Sequence, residues 1–252
     1  MTTTQGAPPG TTWFLRDRAE IDTLVAVLSR NPPSSRQVRL WSVGCSTGQE
    51  PYGIAMALLA AGLQPQILAT DVRMEALAVA AAARYSAQAA SVLPLAWRER
   101  YTKQTSADEV AINPAVVERV SFHVHDVARS PQLPPGWHRF DAVICRNVLI
   151  YFERTEAVAI VKRLAEACVP GGYVLLSAAE RPIAWMTAML CEDDEYKDTV
   201  LLRRKGSSAA SSIRALPQLA ATVPPPRTAP PQTAIKKSDA SAQPLAYATT
   251  LL

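Results

Sequence analysis

The sequence is poor in the residues that build metal centres and disulfide frameworks. Its 252 residues include four cysteines and three histidines. The cysteines lie far apart and form no CxxC pair, which argues against a structural zinc site or a disulfide framework and favours a reducing compartment. His123 and His125 lie two apart on a predicted strand and point the same way, but no third ligand accompanies them. We therefore expect no metal site and a cytoplasmic protein.

Long apolar runs are also absent. The amino terminus has neither the basic patch nor the apolar run of a signal peptide. The longest apolar runs, at 54–63 and 76–83, are too short to cross a bilayer, so we expect no membrane insertion. The formal net charge is +4, but the positive residues are interleaved with acidic ones rather than clustered. We therefore expect no nucleic-acid binding.

An apolar share of 48% is enough to bury a core, but this share is not spread evenly along the chain. Residues 207–252 are rich in alanine, proline, serine and threonine, and Tyr247 is their one aromatic residue. Such a segment cannot bury enough apolar surface to fold alone. We expect residues 1–10 and 206–252 to be disordered, and residues 11–205 to form the folded domain.

Strands and helices alternate within residues 11–205. Apolar spacing predicts helices at 20–29, 51–63, 74–84 and 155–168, and strands at 38–43, 66–70, 120–125, 140–145, 173–177 and 198–204. Pro-Gly-Gly at 170–172 predicts a break before the strand at 173. The stretch at 85–118 is less regular, with a helical segment at 97–101 and room for a short hairpin. This alternation predicts an α/β fold with a mostly parallel, doubly wound sheet.

Polar residues interrupt the apolar pattern at the ends of three predicted strands. The first strand runs into a turn that contains Gly44 and Gly48, and Glu50 begins the helix that follows. Asp71 ends the second strand about two dozen residues later, where a carboxylate takes ribose hydroxyls in dinucleotide-binding proteins. Three polar residues follow the strand at 140–145: Arg146, Asn147 and Tyr151. Because ligands bind beyond the carboxyl ends of parallel strands, this pattern predicts a nucleotide-like cofactor site.

Simpler interpretations exist for each of these residues. Asp71 could cap the following helix, Arg146 could be a surface ion-pair partner, and Tyr151 with Phe152 could belong to the core. Two cysteines, Cys45 and Cys145, adjoin the predicted site, and we interpret them as small residues at crowded turns rather than reactive thiols. Because the polar residues all fall at strand ends on one side of the sheet, a ligand site explains them better together.

Three segments also carry a resemblance to a known family. They are WSVGCSTGQEPYGIAM at 41–56, ATD at 69–71 and CRNVLIYF at 145–152, and together they resemble the signatures of CheR-type chemoreceptor glutamate methyltransferases. TWFLR at 12–16 is similar to that family's T-x-F-F-R segment, and Pro-Gly-Gly before a strand is common in class I methyltransferases. The resemblance covers about residues 11–203. It implies a Rossmann-like class I methyltransferase fold with a small insert at about 85–118.

The resemblance implies a cofactor, a substrate and the residues that hold them. The cofactor is S-adenosylmethionine, and its methyl group goes to glutamate carboxylates in the cytoplasmic domains of chemoreceptors, giving a methyl ester and S-adenosylhomocysteine in chemosensory adaptation. The implied catalytic residues are Arg16, Arg146 and Tyr151. The implied cofactor contacts are Thr12, Arg16, Gly44, Glu50, Asp71, Asp126, Val127, Arg146 and Asn147. Because a glutamate carboxylate is ionised near neutral pH, this transfer needs alignment rather than a catalytic base.

Several features depart from the family. We expect the chain to be a monomer without the family's usual amino-terminal helical domain. Gln49 replaces the first residue of a Glu-Glu pair, Leu15 replaces a phenylalanine, and SAAE at 177–180 replaces Gly-His-Ser-Glu. A competing interpretation is therefore a chemosensory interaction protein that binds the cofactor with little or no catalysis. A nicotinamide-dependent oxidoreductase is disfavoured, because GCSTG at 44–48 does not match GxGxxG.

Overall fold

The computed structural model describes residues 12–30, 32, 37–130, 132–184, 186, 187, 189–192 and 199–205. These residues all belong to one compact unit of the chain, Met1–Ser208. The segments expected to be disordered, 1–10 and 206–252, lie outside the described residues. Within the described part, no helix combines the length and the apolar character that a membrane span requires.

Within the described residues, seven strands form the central sheet and three form a smaller one. In chain order they are β1 (Gln37–Val43), β2 (Gln64–Asp71), β3 (Arg84–Ser86), β4 (Thr102–Gln104), β5 (Glu109–Ile112), β6 (Val120–Val124), β7 (Phe140–Cys145), β8 (Cys168–Leu176), β9 (Leu190–Glu192) and β10 (Val200–Arg204). The central order is β6-β2-β1-β7-β8-β10-β9. The first five of these pair in parallel, and β10 is antiparallel to both of its neighbours. The predicted mostly parallel sheet is confirmed.

Helices cover both faces of the central sheet. They are α1 (Arg18–Arg30), α2 (Gln49–Ala60), α3 (Met74–Ala82), α4 (Ala87–Ala90), α5 (Leu95–Tyr101), α6 (Pro114–Val117), α7 (Arg154–Ala167) and α8 (Arg181–Ala184). Successive side chains of a strand point to opposite faces. In β1, Leu40 accordingly packs in the core that contains α1 and α2, whereas Trp41 and Val43 pack in the core that contains α7. This alternation is why β1 is apolar along most of its length.

Residues 84–117 form a small antiparallel sheet with short helices around it. Its order is β3-β5-β4, so the structure adds a third strand to the hairpin that the sequence predicts. Tyr85 of β3 pairs with Val110 of β5, and both side chains are buried in the core that contains α1 and α2. This insert is therefore packed continuously with the main fold rather than attached by a flexible connection.

The break predicted at Pro-Gly-Gly is wrong as a strand boundary. Strand β8 begins at Cys168 and runs through these residues, but its pairing with β7 jumps from Phe140 opposite Cys168 to Ala142 opposite Tyr173. Gly172 has little room there, since a Cβ atom would lie 3.0 Å from the carbonyl oxygen of Asp141. The three residues therefore make an irregularity within a strand, as glycine and proline often do.

Candidate active site

A cavity of about 460 Å³ lies at the carboxyl edge of the central sheet. Strands β1, β2 and β7 end at this edge, and the segment before α1 closes one side of it. All ten residues that the sequence singles out for cofactor binding or catalysis line this cavity: Thr12, Arg16, Gly44, Glu50, Asp71, Asp126, Val127, Arg146, Asn147 and Tyr151. Residues from five separate segments of the chain therefore meet in one space.

The turn after β1 needs glycine at two positions. Gly44 and Gly48 have φ angles of 68° and 89°, in the left-handed region that favours glycine. A Cβ atom on Gly44 would lie 2.5 Å from Val148 Cγ2, and one on Gly48 would lie 2.8 Å from Ala80 Cβ. The insert supports the same turn, because the Tyr85 hydroxyl donates to the carbonyl of Thr47 at 2.8 Å. The backbone of this turn is thus held close to the cavity.

Asp71 joins the end of β2 to the turn after β1. Its Oδ2 accepts a hydrogen bond from the backbone N–H of Ser46 at 2.8 Å. Its Oδ1 accepts from the backbone N–H of Arg73 at 3.0 Å and from the Arg73 Nε at 3.2 Å. The helix that follows, α3, has Arg73 as its N-cap residue and no side-chain capping bond. The alternative that Asp71 merely caps this helix is therefore wrong.

Arg146 lies at the centre of a buried charge cluster. Its side chain is 1% exposed, so it is not the surface ion-pair partner considered as an alternative. The guanidinium pairs with Asp17 at 2.6 Å, Glu20 at 2.9 Å and Glu50 at 3.3 Å. Burial raises the pKa of the Glu20 and Glu50 carboxyls, and the charge of Arg146 opposes that rise. This cluster ties the leading segment, α1 and α2 to the end of β7.

Arg16 is less firmly held than Arg146. Its guanidinium lies over the ring of Trp13, 4.5 Å from the centroid, and its Nε is 3.8 Å from Asp17 Oδ2. A quarter of its side chain is exposed, and it lines the cavity. Arg146 is already paired with three carboxylates of the protein, so Arg16 and Arg73 are the more exposed of the guanidinium groups that line the cavity.

Glu180 holds the loop that follows β7. Its carboxylate is fully buried and accepts five hydrogen bonds. Three come from the backbone N–H groups of Asn147, Val148 and Leu149, at 3.1, 2.8 and 2.8 Å. The other two come from the N–H and hydroxyl of Ser177, at 2.9 and 2.6 Å. Asn147, whose φ is 59°, is thereby fixed beside the cavity.

Four residues of the site were not predicted from the sequence: Glu180, Asp17, Glu20 and Arg73. One signal for Glu180 was available, since it is an acidic residue just after an apolar strand. Asp17 and Glu20 are acidic residues in and just after the segment that carries Arg16. Arg73 stands where a helix usually has a small polar N-cap residue. Each of these signals is too common by itself to indicate a site.

Three further predicted residues, Asp126, Val127 and Tyr151, also line the cavity. Asp126 Oδ1 accepts from the backbone N–H of Ala128 at 2.9 Å, so Asp126 also stabilises the turn after β6. Val127 is buried and packs in the core that contains α7. Tyr151 is 56% exposed, which excludes the core alternative for it, whereas Phe152 is half-buried against the same core as Val127.

Neither thiol beside the cavity has the character of a nucleophile. Cys45 and Cys145 are buried free cysteines, and burial raises the pKa of both thiols. They therefore stay protonated at neutral pH. This agrees with their interpretation as small residues at crowded turns rather than reactive thiols. His125 stacks edge-on against Trp41 with ring centroids 5.6 Å apart, which is the packing of a core residue. Among the described residues, no group of three metal-ligating side chains comes together.

The fold and the cavity together define a class of protein. A sheet of order β6-β2-β1-β7-β8-β10-β9 with β10 antiparallel, and a cavity at the ends of β1, β2 and β7, is the class I methyltransferase arrangement. A family model described as CheR methyltransferase, SAM binding domain, matches residues 10–187, and the chain belongs to this family. The resemblance seen in the sequence is confirmed, and so is its cofactor, S-adenosylmethionine.

Three curated relatives illustrate the match. Chemotaxis protein methyltransferase Cher2 of Pseudomonas putida is 34% identical over 183 residues, covering 68% of this chain and 65% of the relative. Chemotaxis protein methyltransferase 1 of Pseudomonas aeruginosa is 35% identical over 156 residues, covering 58% and 55%. Probable biofilm formation methyltransferase WspC of P. aeruginosa is 34% identical over 178 residues, covering 67% and 41%. The match thus spans less than two thirds of each relative.

The residues around the cavity fit S-adenosylmethionine. This cofactor has a flat base, a ribose with two hydroxyls and an amino-acid chain that carries an ammonium and a carboxylate. The cavity offers apolar surface from Val72 and Val127, and a carboxylate from Asp71 beside them. Glu50 adds a second carboxylate to the cavity and Arg16 adds a cation. The donor set is therefore suited to each part of the cofactor.

Proposed function

We propose that residues 11–205 form a methyltransferase domain that transfers the methyl group of S-adenosylmethionine to glutamate carboxylates of chemoreceptors. The observation that carries this proposal is one cavity lined by Asp71, Arg16 and Tyr151 in a chain of the CheR methyltransferase family. The names of two relatives, both chemotaxis protein methyltransferases, support the receptor as substrate. The protein is then a cytoplasmic monomer that acts on the receptor's cytoplasmic domain.

Each cofactor-binding residue in this proposal contacts the part of the cofactor that matches its chemistry. When bound, S-adenosylmethionine supplies a methyl group activated by the positive charge of its sulfur. Asp71 would accept from the ribose hydroxyls and Val127 would pack against the base, while Asp126 holds the turn that contains Val127. Glu50 accepts from the amino group of the amino-acid chain. The other contacts come from residues at the two sides of the cavity: Thr12, Gly44, Arg146 and Asn147.

Catalysis in this proposal rests on alignment. The acceptor glutamate is already ionised near neutral pH, so no side chain needs to remove a proton. Arg16 orients the incoming carboxylate, and the hydroxyl of Tyr151, an exposed residue that lines the cavity, donates a hydrogen bond to it. Tight pairing would stabilise the charged reactant and slow the transfer, because charge is neutralised as the methyl ester forms. Arg16 is suited to such loose pairing, because a carboxylate of the protein already neutralises part of its charge. Asp17 Oδ2 lies 3.8 Å from Arg16 Nε.

Replacing Asp71 with asparagine tests the ribose contact. We expect the free energy of cofactor binding to weaken by about 1–3 kcal/mol, the scale for losing charge-assisted hydrogen bonds. Calorimetric titration measures this directly. The matched control is Asp141→Asn, because Asp141 also accepts a backbone N–H between strands, that of Arg39 at 2.8 Å, but does not line the cavity. Unchanged affinity in the folded Asp71 variant would remove Asp71 from the binding site.

Replacing Arg16 with alanine tests the orientation of the acceptor. We expect turnover to fall by about tenfold or more, because a misplaced acceptor loses the benefit of proximity, while the thermal midpoint stays near that of the unsubstituted protein. The control is Arg18→Ala, since Arg18 faces Asp22 and Trp97 rather than the cavity. Wild-type turnover by Arg16→Ala would contradict a role for the leading segment in the transfer.

The function itself is tested with labelled S-adenosylmethionine and membranes that contain chemoreceptors. Base-labile label on the receptor is the expected result, because glutamate methyl esters hydrolyse in base. Saturable cofactor binding without any transfer would instead indicate a chemosensory interaction protein. Absence of cofactor binding would overturn both interpretations.

A further inference from the structure

Arg73 is an unusual residue for the start of a helix. It is the N-cap of α3, a position that prefers serine, threonine, aspartate or asparagine because their side chains accept a backbone N–H. A guanidinium has no acceptor, and α3 indeed has no side-chain cap. The Arg73 side chain instead reaches back over the end of β2 and lines the cavity. Its Nε donates to Asp71 Oδ1 at 3.2 Å and its Nη2 donates to Ser46 Oγ at 2.9 Å.

This contact occupies an acceptor site of Asp71 that a bound ribose would use. A carboxylate has about four acceptor sites, two on each oxygen. Oδ1 of Asp71 accepts from both the backbone N–H and the Nε of Arg73, and Oδ2 accepts from the N–H of Ser46. One site is left. A ribose presents two adjacent hydroxyls, so Asp71 can accept from both of them only when the Arg73 side chain releases Oδ1.

We propose that Arg73 sets the affinity for the cofactor by competing with a ribose hydroxyl for Asp71. This inference rests on the proposed function and concerns the regulation of the same site. The Arg73 side chain is 39% exposed and that of Asp71 is 7% exposed, so the guanidinium can swing into solvent while the carboxylate stays in place. An ion pair with one partly exposed partner contributes little free energy. The competition therefore changes affinity by a modest factor.

The test compares Arg73→Ser with the unsubstituted full chain by calorimetric titration. S-adenosylmethionine and S-adenosylhomocysteine are both titrated, because they share the ribose but only the first has a positively charged sulfur. We expect both ligands to bind about three- to fivefold more tightly, which corresponds to the strength of a partly exposed ion pair. Serine is a favourable N-cap residue, so the variant is expected to unfold at no lower temperature than the parent.

Two controls separate competition from other causes. Arg129→Ser removes the same charge from another arginine, whose Nε lies 3.7 Å from Oδ2 of the cavity residue Asp126. This variant is expected to bind both ligands with unchanged affinity. In an Asp71→Asn background, Arg73→Ser is expected to have no further effect, since the two substitutions act on one contact.

The outcomes distinguish this inference from the proposed function. Unchanged or weaker binding of both ligands by Arg73→Ser, with normal binding by the parent, overturns the competition alone. Tighter binding of S-adenosylmethionine alone also overturns it, because charge repulsion then explains the gain. If the parent binds neither ligand, the proposed function fails and the competition fails with it.

Discussion

Glu180→Ala is expected to lower the free energy of unfolding by about 4 kcal/mol or more, because it leaves four N–H groups without an acceptor, each at a cost of about 1–3 kcal/mol. The groups concerned are the backbone N–H of Asn147, Val148, Leu149 and Ser177. Three of them belong to the loop beside the cavity. We therefore also expect this variant to lose most of its cofactor affinity.

Glu180→Gln is the sharper form of this prediction. Glutamine has nearly the same volume, but it replaces one acceptor oxygen with an NH₂ donor. Since Oε1 and Oε2 each accept at least two hydrogen bonds, either orientation of the amide directs a donor at other donors. We expect a loss of about 2–3 kcal/mol. Urea unfolding measures the change, with Glu156→Gln on the exposed face of α7 as the control.

A loss below about 1 kcal/mol, within the range of ordinary surface substitutions, would contradict this account of Glu180. The loop after β7 would then hold its shape through its own packing. If the same variant bound the cofactor with normal affinity, the contacts of Glu180 would stabilise the loop without being required for cofactor binding.

Arg146→Met is expected to destabilise the protein by about 3–5 kcal/mol at neutral pH. Methionine has an apolar side chain of similar length, so the main change is the loss of the cation. Glu20 and Glu50 then stay largely buried without the cation that they share, and buried charges without a counter-ion are costly. Asp17, whose side chain is 54% exposed, can instead turn to solvent. Cofactor binding is expected to weaken as well, because the leading segment loses its anchor on β7.

The loss caused by Arg146→Met is expected to depend on pH. Burial already raises the pKa of Glu20 and Glu50 above the ordinary value of 4.5, and removing the opposing arginine raises both further. A carboxyl with a raised pKa in the folded state binds protons more tightly there than in the unfolded chain. The stability that this gives is complete below the unfolded pKa and is lost as pH rises through the folded pKa. The deficit should therefore shrink between pH 7.5 and about pH 5.

Unfolding curves at the two pH values test this prediction. The control adds Glu20→Gln and Glu50→Gln to the arginine variant. This removes the unpaired charges, so it should recover part of the stability at pH 7.5 and remove most of the pH dependence. An equal deficit at both pH values would show that the cost comes from lost packing of the arginine stem rather than from unpaired carboxylates.

The strands of the central sheet show how much of the fold a local sequence pattern can predict. Strand β7 was predicted at its observed bounds, Phe140–Cys145, because a buried parallel strand reads as a short apolar run with polar residues after it. Asp71 stood out for the same reason. The insert was less predictable, because β3 is three residues long and its pairing with β5 spans more than twenty residues of sequence. Short strands carry little pattern, so tertiary contacts decide their pairing.

The sequence by itself determined the fold class, the family and the edge of the sheet where the cavity lies. It did so because these depend on the order of apolar runs, on the residues that end them and on motifs of consecutive residues. Only the tertiary structure decided which charges meet. Asp17, Glu20 and Glu50 precede Arg146 by about 100 to 130 residues, and Glu180 follows the loop that it holds by about thirty. Electrostatic contacts depend on distance in space, which no local pattern of residues encodes.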